Sequence, residues 1–362
     1  MPADATQHQH FVRLSFSVSA DQPQVNRRIY FVLWFLKWLQ FRADKYKIPA
    51  QQQALSVSGK LKDSVLKFRP MKKYLTLILA LMIHSISSTS FGQTSPAKNI
   101  PIGLDTLSYY DSGNGKTTLL FIHGAFINKE YWDNQLSYFS PNYRVVAIDL
   151  AGHGNSTHNR NDWTIQKYGE DIDELIKKLS LKNVIVIGHS IGADIMLEAA
   201  NKNNPSILGT VGIDYFKNVG VELPKNIVDQ TMTGLKTDFA NTSEFYARKA
   251  LLTPKTNSVI TKKVITDFRE MNPKVGIALN ESGFNYTERE TELLKNLKTK
   301  LYLINVNNFP TNEENLKKYV GKNYGLNTIN GTCHFPMIEH PKEFNSLLEK
   351  IVLEIKATKS NE

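Results

Sequence analysis

Cysteine is almost absent from this chain of 362 residues, in which Cys333 stands alone. A single thiol excludes a disulfide within the chain, so burial of apolar side chains must hold the fold together. The shortage does not fix the compartment, because a cytosolic protein and a secreted domain large enough to fold without disulfides both fit it. Internal repeats are absent too, which argues against a repeat architecture.

Long apolar runs are also lacking. The stretch at 30–41 has about 12 residues and contains Lys37, whereas a spanning helix needs about 20 apolar residues. Arg27 and Arg28 precede it, a pattern compatible with attachment to a membrane surface. We expect no stable membrane span in the mature chain.

Positive charge is concentrated at the start of the chain. Residues 1–70 hold 11 Lys and Arg against 4 acidic residues, residues 71–92 hold 2 against none, and residues 93–362 hold 31 against 30. A formal net charge of +10 would by itself suggest nucleic acid or an anionic membrane as a partner. Because the part with a foldable pattern is almost neutral, we expect no nucleic-acid role.

A sequence typical of a protein N-terminus starts at Met71. Residues 71–92 read MKKYLTLILALMIHSISSTSFG, with two lysines, an apolar stretch and then small residues. These are the three regions of a secretory signal peptide, which stands at an N-terminus. We therefore predict that Met71 is the true start, that residues 1–70 are a non-native extension, disordered or poorly packed, and that the mature chain is secreted or periplasmic. The alternatives are a buried helix in a genuine N-terminal domain, or a membrane anchor formed by the apolar segments.

Beyond a polar spacer at 93–99, strand patterns alternate with amphipathic helical patterns. Strands are predicted at 107–110, 116–122, 143–149, 183–188, 208–214, 301–306 and 325–329, and helices at 131–139, 165–179, 191–201 and 344–355. The first two strands flank D-S-G-N-G, a sequence typical of a hairpin turn. The alternation favours an α/β fold in which a mostly parallel sheet is covered by helices on both faces.

Residues 215–299 interrupt this alternation. Met232, Leu235 and Phe239, with Phe245 and Tyr246 further on, indicate helices with apolar faces and no strand. Insertions of this size between two strands are usually functional. We expect a helical lid here, inserted before the penultimate strand, on a core made of residues 93–214 and 300–362.

The stretch N-V-I-V-I-G-H-S-I-G, residues 183–192, predicts a buried strand, a sharp turn and a helix, with Ser190 in the turn. Gly188 and Gly192 suit such a turn because neighbouring chain comes too close for a Cβ atom. A serine exposed in this way is a candidate nucleophile. The amide of Ile191 then points to where an oxyanion would form.

Four motifs in this order resemble the α/β-hydrolase family: H-G-A-F at 123–126, D-L-A-G-H-G-N-S at 149–156, G-H-S-I-G at 188–192 and H-F-P-M-I-E-H-P at 334–341. The resemblance spans about residues 100–357 and implies the α/β-hydrolase fold. It also implies a second oxyanion donor, the backbone amide of Ala125, beside that of Ile191. Cys333 departs from the family's usual glycine, and we interpret it as a small buried residue.

The family's chain order of serine, acid and histidine leaves His334 and His340 as candidate bases after Ser190. His334 follows a predicted strand, where the loops at the sheet edge carry functional groups. His340 opens the last helix, where a solvated or capping role is expected. We therefore predict His334 as the base and assign structural roles to the three histidines before or beside the serine, His123, His153 and His189.

The acid is where the sequence departs most from the family. Most relatives place it after the strand at 301–306, but here that position reads Asn307-Asn308, and an amide cannot stabilise an imidazolium by charge. Asp214 ends the preceding strand, and some family members place their acid there. We predict Asp214, with Glu313 or Glu314 as alternatives, and a helix cap as its other possible use.

These residues predict a serine hydrolase that forms an acyl-enzyme from a small or medium ester, with no metal or organic cofactor. Carbon–carbon bond hydrolysis, lactone opening, acyl transfer and perhydrolysis use the same three side chains and stay open. Chemistry that needs an aspartate nucleophile, as in haloalkane dehalogenases and epoxide hydrolases, is disfavoured by Ser190. A ligand-binding protein with little catalysis is the non-enzymatic alternative. The oligomeric state is not predicted.

Overall fold

The computed structural model describes residues 96–360, all of which belong to the unit Ser90–Glu362. They contain one eight-stranded sheet in the order β1-β2-β4-β3-β5-β6-β7-β8. The strands are β1 (Lys98–Ile102), β2 (Asp105–Asp111), β3 (Thr118–Ile122), β4 (Arg144–Ile148), β5 (Val184–His189), β6 (Ile207–Ile213), β7 (Leu301–Val306) and β8 (Tyr324–Ile329). The predicted extension at 1–70 and signal peptide at 71–92 lie outside the described residues.

The sheet is mostly parallel. Strands β3 to β8 run parallel to one another, and at one edge β2 pairs antiparallel with both β4 and β1. Every residue of β3, β5 and β7 is buried, as expected for strands that are covered on both faces. The α/β-hydrolase fold predicted from the sequence is confirmed.

Helices cover the sheet. The helices are α1 (Asp133–Phe139), α2 (Ile165–Lys178), α3 (Ile191–Asn201), α4 (Lys225–Thr237), α5 (Phe239–Tyr246), α6 (Ser258–Glu270), α7 (Pro273–Phe284), α8 (Thr287–Asn296), α9 (Glu313–Val320), α10 (Pro336–Glu339) and α11 (Pro341–Ser360). Helix α2 packs on α3 and α3 on β5 and β6, while α1 and α11 pack on each other and on β4 and β6 to β8. Within residues 96–360, none of the helices combines the length and the apolar character needed to cross a bilayer.

Local sequence explains where the helices begin and which face they bury. Thr164 caps α2 by accepting a hydrogen bond from the amide of Lys167, and Asn272 caps α7 ahead of Pro273. The apolar residues spaced three and four apart are buried in α2 and in α11. Each such side chain contributes about 1.5–3 kcal/mol when it leaves water.

The hairpin predicted around D-S-G-N-G is wrong. Strands β2 and β3 do not pair, because β4 lies between them, antiparallel to β2 and parallel to β3. The glycines of this segment serve another purpose: a Cβ on Gly115 would lie 2.2 Å from the amide nitrogen of Arg144. Arg144 in turn donates to both carboxylate oxygens of Asp111, at 3.0 and 2.9 Å. The turn thus packs against the start of β4 instead of closing a hairpin.

Strand β1 was not predicted, because residues 93–99 were interpreted as a spacer. Its burial alternates poorly, and three of its five residues are exposed. An edge strand with one neighbour needs no continuous apolar pattern, so its sequence resembles a linker.

The segment between β6 and β7 contains helices α4 to α8 and a π-type turn at Ala247–Leu251, and no strand. We call this segment, residues 215–299, the helical insertion. Met232, Leu235 and Phe239 are buried as the pattern indicates. Phe245 and Tyr246 are not: their side chains are 63% and 47% exposed, so they do not form part of a buried face.

Candidate active site

Ser190 occupies the sharp turn between β5 and α3. Its φ of 53° and ψ of −133° are strained for a residue with a side chain. A Cβ on Gly188 would lie 2.2 Å from the carbonyl oxygen of Gly192, and a Cβ on Gly192 would lie 2.6 Å from that of His123. Only glycine therefore permits the close approach that holds Ser190 in this conformation.

Asp214 and His334 form a hydrogen-bonded pair. His334 Nδ1 lies 2.6 Å from Asp214 Oδ2. Because an ionised carboxylate only accepts, Nδ1 carries the proton and Nε2 is the basic nitrogen. Asp214 has a φ of 49°, and its Oδ1 accepts the amide of Val306 at 2.9 Å. The pair therefore joins the end of β6 to the loop after β8.

The Asp214 carboxylate is held in its charged form. Burial alone would raise the pKa of Asp214, but the hydrogen bond and charge of His334, together with the charge of Lys217, hold this pKa below its ordinary value. The group opposite His334 Nδ1 is therefore a carboxylate at neutral pH.

One cavity of about 380 Å³ brings the predicted residues together. Ser190, Asp214, His334, Ala125 and Ile191 all line it. A Cβ on Gly124 would meet the Cβ of Ser190 at 2.9 Å, so the H-G-A-F segment lies directly against the serine. The remaining wall comes largely from the loop after β6 and the helical insertion, including Tyr215, Leu223, Phe268, Phe284, Tyr286 and Glu290.

The alternative candidates lie elsewhere. His340 is 3.6 Å from Glu343 on the first turn of α11. Glu313 is exposed and accepts a hydrogen bond from the hydroxyl of Tyr324 at 2.6 Å. Glu314 is exposed at the start of α9. None of these three residues lines the cavity that Ser190 borders.

The three remaining histidines of the motifs are buried and make backbone contacts. His123 Nε2 accepts the amide of Leu150 at 3.0 Å, and burial lowers the pKa of His123 to about 4. Burial likewise lowers the pKa of His153 to about 3. His189 Nε2 donates to the carbonyl oxygen of His334 at 2.9 Å, so His189 supports the backbone of the predicted base.

Lys217 was missed by the sequence reasoning. Its Nζ lies 2.6 Å from Asp214 Oδ1 and donates to the carbonyl oxygen of Val306 and to Asn308 Oδ1, each at 2.9 Å. It thus links Asp214 to the loop where most relatives carry the acid. The sequence pattern that could have identified Lys217 is a lysine placed three residues after an aspartate that ends a buried strand.

Asp194 and Glu290 were also missed. Asp194 is buried in α3 and accepts a hydrogen bond from the hydroxyl of Tyr215 at 2.6 Å. Glu290 on α8 is half-buried, and both carboxyls line the cavity. The sequence did offer one indication of Asp194. It is an acidic residue four positions after Ser190, in a stretch of helix that is otherwise apolar.

Cys333 is fully buried, as predicted. Burial and the hydrogen bond to Glu339 raise the pKa of its thiol to about 12. At neutral pH the thiol is therefore protonated and a poor nucleophile. Within residues 96–360, no group of three or more His, Cys, Asp or Glu side chains is placed to hold a metal ion.

Comparison with curated proteins finds partial matches to hydrolases. The chain is 29% identical over 126 residues to the 2-(acetamidomethylene)succinate hydrolase of Mesorhizobium japonicum, a match that covers 35% of this chain and 45% of that protein. It is 28% identical over 154 residues to a bifunctional esterase/perhydrolase of Acinetobacter calcoaceticus, covering 40% of this chain and 54% of the relative. The chain thus spans about half the length of these relatives.

Comparison with solved structures finds the same fold. A structure of an N-acyl homoserine lactone degrading enzyme superposes with a TM-score of 0.61 at 20% identity, covering 70% of this chain and 99% of that one. The sequence model of the alpha/beta hydrolase fold matches residues 117–341, well over half of the chain. On the strength of that match and of the eight-stranded sheet, this protein belongs to the alpha/beta hydrolase fold family.

Proposed function

We propose that this chain is a secreted serine hydrolase that cleaves a small or medium carboxylic ester through Ser190, His334 and Asp214. The observation that carries the proposal is the 2.6 Å contact between His334 Nδ1 and Asp214 Oδ2 on the cavity that Ser190 borders. An imidazole fixed in this tautomer has a free basic nitrogen, which a serine nucleophile requires.

In the proposed mechanism, His334 Nε2 takes the proton of the Ser190 hydroxyl while its oxygen attacks the ester carbonyl carbon. The new imidazolium is stabilised by the charge of Asp214. It then returns the proton to the departing alkoxide oxygen, and an acyl-enzyme is left. Water, deprotonated by His334 in the same way, attacks the acyl carbon and releases the acid and the free serine.

The negative charge that develops on the carbonyl oxygen needs donors in the cavity. We assign this role to the backbone amides of Ala125 and Ile191, because both residues line the cavity and the amide of Ile191 opens α3. The positive end of a helix dipole favours an anion at that position. Removing one such donor costs about 100- to 1,000-fold in rate in serine proteases.

The helical insertion is proposed as a lid over the ester. A cavity of about 380 Å³ lies within the range of about 300–1,000 Å³ that is typical of small-molecule sites. Phe268, Phe284 and Leu223 give it apolar wall area, which suits an aliphatic acyl or alcohol group.

Covalent labelling by a fluorophosphonate tests the assignment of the nucleophile. We expect the wild-type chain to be labelled and Ser190→Ala to remain unlabelled. Equal labelling of the two proteins would show that the chain is not a serine hydrolase acting through Ser190. Hydrolysis of p-nitrophenyl esters of increasing acyl length then measures the size of acyl group that the cavity accepts.

Lactone opening is the second candidate, favoured by the likeness to the N-acyl homoserine lactone degrading enzyme, of which this chain covers 99%. A lactone is a cyclic ester, so the same three side chains can open it. Titration of the acid released from a lactone and from an open-chain ester of equal carbon number distinguishes the two. Carbon–carbon bond hydrolysis, acyl transfer and a weakly catalytic ligand-binding protein remain alternatives on the same site.

Secretion is proposed from the sequence at 71–92 alone. N-terminal sequencing of the native protein tests it: we expect a start close after Gly92. Recovery of any peptide from residues 1–70 would overturn the proposal that Met71 is the true start. Retention in the membrane fraction would favour an anchor instead.

A further inference from the structure

Two carboxyl groups in the cavity wall have no part in the proposed mechanism. Asp194 is 1% exposed; its Oδ2 accepts from Tyr215, and within the described residues its Oδ1 has no donor other than the carboxyl of Glu290, with which Asp194 shares a hydrogen bond. Glu290 lies beside it and lines the same cavity. Four residues along a helix correspond to about 6 Å, so Asp194 lies close to Ser190 and to a bond that Ser190 would attack.

Within the part of the chain that the structure describes, neither carboxyl has a cation as a partner. Among residues 96–360, no lysine or arginine forms an ion pair with Asp194 or Glu290, and Arg289 and Lys217 each have another partner. Arg289 pairs with Glu198 at 3.0 Å, and Lys217, which alone among the described lysines and arginines lines the cavity, pairs with Asp214 at 2.6 Å. A buried negative charge without a partner is costly. The described residues therefore supply no counter-charge to this part of the wall.

We propose that the Asp194–Glu290 pair binds an ammonium group of the substrate, so that the cavity prefers cationic esters to neutral ones and neutral esters to those carrying a carboxylate. A ligand cation supplies the counter-charge that the protein itself does not provide. A carboxylate on the ligand would face Asp194 and Glu290, and the charge of Lys217 is already neutralised by Asp214. This inference rests on the proposed hydrolase function and names its substrate class.

The pKa shifts of the two carboxyl groups agree with this interpretation. Burial and the neighbouring Glu290 raise the pKa of Asp194 well above its ordinary value, and burial raises the pKa of Glu290 to about 7. Glu290 therefore gains its negative charge as pH rises through about 7 and loses it as pH falls below that value. The ionisable groups around it, from α3, the loop after β6, α5 and the α8 region, are Glu198, Tyr215, Lys217, Tyr246, Tyr286 and Arg289. The preference for a cation should weaken as pH falls through about 7.

Three butyryl thioesters of matched size test the proposal. Their thiol parts carry a trimethylammonium group (butyrylthiocholine), its neutral 3,3-dimethylbutyl isostere, and a carboxylate (2-carboxyethyl), and release of the thiol is followed by a disulfide dye. For the wild-type full chain at about pH 8, we expect kcat/KM to fall in that order, with the cationic thioester about tenfold above the neutral one. Glu290→Gln should bring the cationic-to-neutral ratio close to one. Glu288→Gln, an exposed acid on the same helix, should leave the ratio unchanged.

Binding to Ser190→Ala, measured by calorimetry, separates this inference from the hydrolase proposal. The inference holds if the three thioesters bind in the predicted order and Glu290→Gln removes that order of affinities. It holds even if the wild-type protein cleaves none of them, in which case only the proposed chemistry fails. The inference would be overturned if all three thioesters bound equally, or if Glu290→Gln left the ratio of cationic to neutral affinity unchanged, whether or not hydrolysis is observed.

Discussion

At the scale of single residues, Asp214 is the side chain on which the proposed chemistry most depends. Asp214→Asn can keep the contact with the amide of Val306 but loses the charge that stabilises the His334 imidazolium. We expect kcat for a p-nitrophenyl ester to fall by about 10,000-fold, the size of the effect in serine proteases. Steady-state kinetics measure it, with the exposed Glu313→Gln as the control. A full rate in Asp214→Asn would make the assignment of the acid wrong.

Lys217 governs how strongly the charge of Asp214 acts on the imidazole of His334. Its contact at 2.6 Å lowers the pKa of Asp214 and partly neutralises the carboxylate. In Lys217→Met the unneutralised carboxylate favours the imidazolium, which cannot act as a base. The acidic limb of the kcat/KM profile should therefore move to higher pH, and Lys217→Arg should restore it at least in part. A loss of rate without a shift of the limb would mean that Lys217 has only a structural role.

Cys333 is adjacent to the predicted base yet should be inert. Because burial raises the pKa of its thiol to about 12, almost no thiolate exists near pH 8. We expect iodoacetamide to leave the folded protein unmodified and to alkylate Cys333 once urea has unfolded it, as mass spectrometry can show. Rapid alkylation of the folded protein would contradict the burial of this side chain.

At the scale of elements, the β5–turn–α3 unit is the most constrained part of the fold. The Cβ of Gly188→Ala would overlap the backbone of Gly192, at 2.2 Å, so we expect a loss of about 2–4 kcal/mol in unfolding free energy together with a loss of activity. Gly325→Ala in β8 is the control, because its nearest atom is a side-chain carbon of Tyr302 at 3.3 Å. Urea unfolding of both variants measures the difference.

Sequence reasoning worked where one periodicity dominates. The buried run before Ser190 and the apolar face of α2 each specify one element, and their predicted bounds agree with the structure to within one residue. It failed where pairing depends on distant strands: D-S-G-N-G indicated a hairpin, but local sequence carries no sign that β4 lies between β2 and β3. Edge strand β1 was missed for a different reason: it pairs with the adjacent β2, but its five residues carry no continuous apolar pattern.

Ser190, His334, Ala125 and Ile191 could be predicted from motifs, and Asp214 from its place at the end of a predicted strand. The chain order placed Ser190, Asp214 and His334, and the structure gathers them around one cavity. Lys217 and Glu290 belong to no motif. Lys217 lies three residues after Asp214, but its contacts with Val306 and Asn308 join residues 89 and 91 positions apart, and Glu290 reaches Asp194 from a distant helix. Charge balance inside a cavity is a three-dimensional property, which spacing along the chain does not reveal.

For the whole molecule, the buried histidines set how stability responds to acid. Burial lowers the pKa of His123 to about 4 and that of His153 to about 3, whereas both bind protons near pH 6.5 when the chain is unfolded. The unfolded state therefore gains protons first as pH falls below about 6.5, and stability should drop by a few kcal/mol by pH 4.

Urea unfolding at pH 7.5 and at pH 5 tests this expectation. The loss of stability between the two values should be smaller in His123→Gln than in the wild-type chain, because glutamine does not titrate. His158, exposed at the surface, provides the matched control: His158→Gln should keep the full loss. An identical loss in all three proteins would assign the acid sensitivity to other groups.

Strand β1 forms one border of the sheet and therefore influences the self-association of this protein. It has β2 on one side and no strand on the other within the described residues, and an open border of this kind can recruit a strand from another copy. Proline offers no amide hydrogen, and the ammonium of a lysine resists desolvation, so Pro101 and Lys98 make β1 a poor template for such growth. Replacing both with threonine should make the protein more prone to self-association at high concentration, which light scattering would detect.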